Sequence, residues 1–313
     1  MEPNDTTTVL STTVKQGTSL VELLVALALF GIVGMATLRS LDRQARFHAG
    51  VLTMLEARSQ HAAAHEAVAT ELRSLSSAGG DITRLSDSAI VFRLPVGSAV
   101  ACAIAPDTIY LAPDTVAAGQ VLAGFRVTPQ PGDTAWLFDE SSTDAARDDS
   151  WAGTPVTSAV RGPGHCPGSA LVDPALDAGR ASWRFAVGGP LPASITAGAT
   201  VRLTRTARFA LYRGGTSEHW LGFAEILPAT GAWITIQPVS GPYLPFSSGA
   251  PSSSGVAMAA RDSSGVPTST TTSMASVSVT TRTRTARVVR IDGLARGRHA
   301  DSLHSLIGLR NWR

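Results

Sequence analysis

The chain has 313 residues, of which 44% are hydrophobic and only 6% aromatic, with a formal net charge of +2. That length accommodates one large or two small domains, and so small a net charge points to no particular class of partner. Two cysteines without a Cys-x-x-Cys spacing leave thiol redox catalysis and a zinc ribbon unsupported.

The first element is an apolar run over residues 17–36, GTSLVELLVALALFGIVGMA, about the length a helix needs to cross a bilayer. Its one carboxylate is Glu22. An ionisable residue in such a segment is expensive, which makes it a functional-site candidate by default. Just before the run stand Lys15, the only lysine of the chain, and Gly17. A secretory signal peptide would carry its charge at the very start, then an apolar core of about 7–15 residues, then a small-residue cleavage site. Here the charge and the small residue precede the run, and the run is too long. A plain single-span anchor, with Glu22 near the membrane edge, is the other alternative.

A short polar leader, a basic residue, Gly17, four residues, Glu22 and an apolar helix together resemble the type IV prepilin N-terminus, shared by type IV pilins and type II secretion pseudopilins. The resemblance implies cleavage after Gly17 by a membrane peptidase and methylation of the new N-terminus at Thr18. Glu22 becomes the fifth residue of the mature chain, where the family keeps its glutamate. Leu20, Val21, Leu23, Leu24 and Val25 match the family's apolar core. Thr18 departs from it, because the first mature residue is usually Phe. In this reading Glu22 pairs with the N-terminal amine of a neighbouring subunit. A mis-stacked subunit would leave a buried charge unpaired, so the pair sets the axial step.

The helical pattern continues past the membrane. Between residues 38 and 76 there is no proline and one glycine, Gly50. Leu38, Leu41, Ala45, Leu52, Leu55, Ala62, Ala69 and Leu72 recur at spacings of three, four or seven, and charged residues fill much of the rest. The spacing predicts a helix over 18–78, membrane-spanning over about 20–38 and amphipathic over 39–76, ended by Ala78-Gly79-Gly80. The family likeness implies that its first half projects as a spine and its second half packs on a globular head, residues 79–313.

After Gly80 the period changes to two. Strands are expected at 89–94, 99–104, 108–111, 121–127, 182–187, 200–212, 232–239 and 276–291. In 200–212, Val201, Leu203, Ala207, Phe209 and Leu211 point one way, and Arg202, Thr204, Thr206 and Arg208 the other. Gly214-Gly215 then turns the chain into a second strand through Trp220 and Phe223, a hairpin signal. Segments 133–168 and 242–272, rich in Ser, Gly, Asp and Pro, read as mobile loops. The expected fold class is α+β: one long N-terminal helix packed on a mostly antiparallel, pilin-like sheet. The hairpin Arg208-Phe209-Ala210-Leu211-Tyr212-Arg213 with Trp220-Leu221-Gly222 is similar to that of large minor pilins and J-type minor pseudopilins. The end Leu309-Arg310-Asn311 is similar to the way those heads finish.

The remaining side chains support little chemistry. Cys102 and Cys166 follow the membrane segment, so this topology places them in an oxidising compartment, where they form a candidate disulfide. His61 and His65, four apart on the helix, read as exposed histidines, because HAAAHE is not HExxH and no third metal ligand is evident. Asp139, Glu140, Asp144, Asp148 and Asp149 form an acidic loop that could take calcium but lacks EF-hand spacing, and no other cofactor is expected. His165 beside Cys166 is not a nucleophile–base pair, and no hydrolase or P-loop signature occurs. Arg282, Arg284, Arg287, Arg290, Arg296, Arg298, Arg310 and Arg313 read as the solvated face and blunted edge of a strand rather than a nucleic-acid surface.

The resemblance therefore leads us to expect a non-catalytic minor pilin or pseudopilin. It would be a single-pass inner-membrane protein with a periplasmic head, later placed at a filament tip. The expected partners are the prepilin peptidase, other minor and major subunits, the inner-membrane assembly platform and membrane lipid. The rival expectation is a single-span anchored binding protein or adhesin that never polymerises.

Overall fold

The computed structural model describes residues 19–140, 149–164, 166, 168–247, 253–284 and 300–309. Lys15, Gly17 and Thr18 lie outside the described residues, as do Asp144, Asp148, His165, Arg287, Arg290, Arg296, Arg298, Arg310, Asn311 and Arg313.

Helix α1 runs over Leu20–Leu72, about 80 Å at 1.5 Å per residue. Ser19 caps it, its hydroxyl accepting the Val21 N–H at 3.2 Å. The helix ends earlier than the expected glycines. The Ser74 hydroxyl donates to the Glu71 carbonyl, and the Asp81 carboxylate takes the Ser76 N–H at 2.8 Å. Leu75 is thereby turned into the core. Gly80, at φ 69°, closes a separate turn further on, a conformation that favours glycine.

The head is built from fourteen described strands: β1 (Ile82–Ser86), β2 (Ala89–Ala105), β3 (Thr108–Leu111), β4 (Ala123–Phe125), β5 (Thr134–Asp139), β6 (Ser150–Pro163), β7 (Ala181–Val187), β8 (Thr200–Arg213), β9 (His219–Glu225), β10 (Gln237–Tyr243), β11 (Val256–Arg261), β12 (Pro267–Thr268), β13 (Ser276–Arg284) and β14 (Ala300–Gly308). Every pairing among them is antiparallel. A long apolar N-terminal helix and a large antiparallel sheet are thus the architecture.

The two longest inner strands, β2 and β8, serve two cores. Their pairing runs from Ala89↔Ala210 to Val100↔Thr200. At one end β2 continues to β3, then β7, β6 and β5, and β5 returns to β8 through Ala135↔Leu203. This closed ring of six strands is a small barrel, a closure that removes free sheet edges. It is filled by Ala101, Ile109, Leu111, Leu137, Phe185 and Val201 among others. At the other end β1, β2, β8, β9, β10 and β13 curve around the last turns of α1. Here Ala64, Val68, Ala69 and Leu72 meet Phe92, Phe209, Leu221, Val277 and Ile307. The rings of Phe92 and Phe209 stack at 5.7 Å.

Several boundaries differ from expectation. Segments 89–94 and 99–104 are one strand, β2. Segment 121–127 pairs only over Ala123–Phe125, and 232–239 moves forward into β10. The segment expected as a loop at 133–168 holds β5 and β6, and that at 242–272 holds β11 and β12. β6 escaped the period-two reading because little of it is buried, with Val156 its one fully buried residue. Gly132, at φ 92°, makes the turn into β5 where a Cβ would lie 1.9 Å from the Pro228 carbonyl oxygen. No other residue fits there without movement.

Candidate functional site: the exposed spine and its seat in the head

Among the described residues, only the last turns of α1 are buried against the head. Its buried residues are Ala57, His61, Ala64, His65, Val68, Ala69 and Leu72. Residues 20–56 therefore stand clear over about 55 Å at helical rise. This is the one described helix long and apolar enough to cross a membrane, and none of its most apolar stretch is buried. A continuous apolar surface of that size needs cover from lipid or protein. Glu22 lies exposed in its first turn, where a carboxylate is favoured by the helix dipole. Gly31, Gly34 and Gly50 have open space around them, so no described residue packs on the spine at these points.

The apolar stripe read from the spacing divides between two faces. At 100° per residue, Leu38, Leu41, Ala45, Leu52 and Leu55 lie roughly opposite the row that packs on the head. They stay exposed, Leu52 at 66%, and Ala62 continues the same face. Ala69 and Leu72 belong to the buried row. The spine thus presents one face to the head and a second, leucine-lined face away from it.

The histidines correct the expectation of exposed side chains: His61 is 2% and His65 9% exposed. They fall on the row of Ala57, Ala64, Val68 and Leu72, a signal that was present in the sequence. His61 Nδ1 lies 2.6 Å from the Thr281 hydroxyl and its Nε2 lies 3.5 Å from that of Thr283. His65 Nε2 lies 3.3 Å from the Thr281 hydroxyl, and its Nδ1 bonds to Ser305. Beside them the Tyr243 hydroxyl donates to the Gln60 carbonyl at 3.0 Å, and the Gln60 side-chain oxygen accepts the Gly241 N–H. Burial holds the His65 imidazole below its ordinary pKa, and the neighbouring His61 adds to this. Burial likewise pushes Tyr243 up to about 12.

β13 corrects a second expectation. Its threonines do not form a solvated face: Thr281 and Thr283 are buried against α1. β13 is also no edge, since β14 flanks it on one side and β11 and β10 on the other. Arg282 donates to the Ser254 carbonyl. The side chain of Arg284 lies outside the described residues.

Cys102, on β2, and Cys166, after β6, are joined as a disulfide with their Cα atoms 5.6 Å apart. Ala112, Tyr110, Leu122 and Val172 pack around it. A cavity of ≈ 200 Å³ lies beside it, below the roughly 300–1,000 Å³ usual for ligand pockets. The buried Asp177 on its wall accepts the Ala117 and Asp173 N–H groups and pairs with Arg180. In the acidic segment, Asp139 accepts from Ser194. Among the described residues no three His, Cys, Asp or Glu side chains come together as a metal site.

Sequence reasoning missed Arg205. Its guanidinium is buried, with Nε and Nη2 donating to the two Asp133 oxygens at 2.7 and 3.0 Å, and Nη1 to Glu225 at 3.1 Å. Its hydrogen bonds to Asp133 raise its pKa above the ordinary value. The network ties β8, β9 and the entry to β5 together where barrel and helix-bearing sheet meet. It is structural, because all three groups are engaged with one another.

Comparison of the chain with protein-family models, with curated proteins and with solved structures finds no match.

Proposed function

We propose that the chain is a minor pilin or pseudopilin, a structural and non-catalytic subunit that primes and caps a type IV pilus or a type II secretion pseudopilus. In this reading prepilin peptidase removes residues 1–17 after Gly17, and the Thr18 amine is methylated. The spine anchors the subunit in the inner membrane with its head in the periplasm. The assembly platform then moves it, with other minor and major subunits, to a filament tip. The observation that carries the reading is the spine itself. Residues 20–56 leave the head as an uncovered helix, apolar over its first part, whose one carboxylate within the apolar run, Glu22, sits in the first turn.

The chemistry follows from that placement. In lipid a free N-terminal amine needs a counter-charge, and Glu22 of an adjacent subunit supplies it at one axial step. The pair adds little net stability but penalises wrong registers, because each leaves a charge unpaired. The leucine face from Leu38 to Leu55 continues the contact beyond the bilayer, on the side of the helix away from the head.

The test is Glu22→Leu. Removing a charge from an apolar helix eases insertion by about 2–3 kcal/mol on insertion scales, so the variant should reach the membrane at wild-type level. Filament count or secreted activity should fall. Unchanged assembly at equal protein level would overturn the role of Glu22 and favour a single-span anchored binding protein.

A further inference from the structure

The polar groups in the seat of α1 form one continuous chain of hydrogen-bonding atoms: Thr283, His61, Thr281, His65 and Ser305. With both imidazoles neutral, a uniform direction satisfies every link, and the opposite direction does so equally. In one, the Thr283 hydroxyl donates to His61 Nε2, His61 Nδ1–H to Thr281, the Thr281 hydroxyl to His65 Nε2 and His65 Nδ1–H to Ser305; in the other every donor and acceptor is exchanged. A neutral imidazole offers one donor and one acceptor, which the chain uses, whereas the cation offers two donors and no acceptor. When both rings are charged, Thr281 faces an N–H on each side and its own hydrogen loses the lone pair that received it. Two positive charges then flank one buried hydroxyl.

We propose that this seat is a proton-operated latch: charging His61 and His65 takes the acceptor from the buried Thr281 hydroxyl and sets two like charges side by side between α1, β13 and β14, and the last turns of α1 loosen from the head in acid. Buried polar groups left without partners are costly, which gives the latch its force.

Around His65, burial, His61 and His304 oppose the charge, and the Leu303 backbone favours it. From β10 comes Tyr243, whose ring lies 6.0 Å from that of His61 and whose raised pKa keeps it neutral at every pH concerned. From β13 come the hydroxyls of Thr281 and Thr283, with Arg282 engaged by the Ser254 carbonyl. From β14 come Ser305 and His304, the latter opposing a charge on His65, while the backbone of Leu303 partly favours it. The side chain of Asp301 lies outside the described residues. Because burial lowers the His65 pKa from 6.5, the docked state is held in full above that value and weakens as pH falls below it. The latch does not depend on what covers the rest of the spine.

Hydrogen exchange on the full-length protein in detergent micelles tests this, with rates corrected for the intrinsic effect of pH. Between about pH 8 and pH 5, protection of residues 57–72 should fall roughly tenfold or more, while β2 and β8 within the barrel stay protected. In the His61→Gln/His65→Gln variant, which keeps hydrogen-bonding side chains without the charge, the fall should disappear. Protection of 57–72 that does not change with pH, or an equal fall in the double variant, would overturn the proposal. Should the double variant not fold, the wild type decides: loss confined to α1, β13 and β14 supports the latch, and loss spread over the whole head overturns it.

Discussion

Arg205 sits where the two cores of the head meet, in the same inward row of β8 as Val201, Leu203, Ala207 and Phe209. A guanidinium in that row is held by the carboxylates of Asp133 and Glu225, and removing Asp133 leaves the buried charge with Glu225 and the Thr128 carbonyl alone. Asp133→Ala should therefore cost about 1.5–3 kcal/mol of head stability, read as a lowered denaturation midpoint with an unchanged slope. A loss below about 1 kcal/mol would mean that water or another group satisfies Arg205. The alternation of β8 was legible in the sequence, yet Arg205 was not legible as a core residue. Its partners lie 72 and 20 residues away, and no local pattern announces a buried pair at such distances. The burial of His61 and His65 was legible, since they share a row with Ala57, Ala64, Val68 and Leu72, but the hydroxyls that receive them come from β13 and β14 and were not.

At the scale of the element, α1 separates two roles by face. Leu72 is fully buried in the helix-bearing core, and Leu72→Ala should destabilise the head by about 2–5 kcal/mol. Leu52 touches nothing in the head, and Leu52→Ser should leave the melting temperature of the purified protein within error while reducing association with other helices. The pair of variants is read by thermal unfolding together with co-purification of partner subunits. Equal destabilisation by both would mean that the spine folds back on the head. That α1 is one long helix was plain from the absence of proline, but the face it gives to the head was not. A seven-residue spacing drifts around an α-helix, so a stripe that begins at Leu38 is no longer the same face at Leu72. The strands show the complementary limit. β8 carries strong alternation because it buries one side, whereas β6 is rich in Ser, Thr, Gly and Pro and buries only Val156.

For the whole molecule, the decisive property is the disproportion between a head with its own two cores and a helix that extends about 55 Å beyond it. A bilayer core of about 30 Å accounts for roughly the first 20 residues of that length. The segment that follows carries charged side chains such as Arg39, Asp42, Arg43 and Arg46, with Asp42 and Arg46 paired at 2.7 Å. It also carries the outward leucines, which suits a stretch that is solvated on one side and in contact with other helices on the other. The proposed role requires, before anything else, that the leader be removed, because only then does a charged amine lie one helical turn from Glu22. The most direct measurement is the mass of the N-terminal peptide from protein extracted from its native membrane. The account predicts a chain that begins at Thr18 with a methylated amine, and an intact 1–17 segment on the mature protein would contradict it.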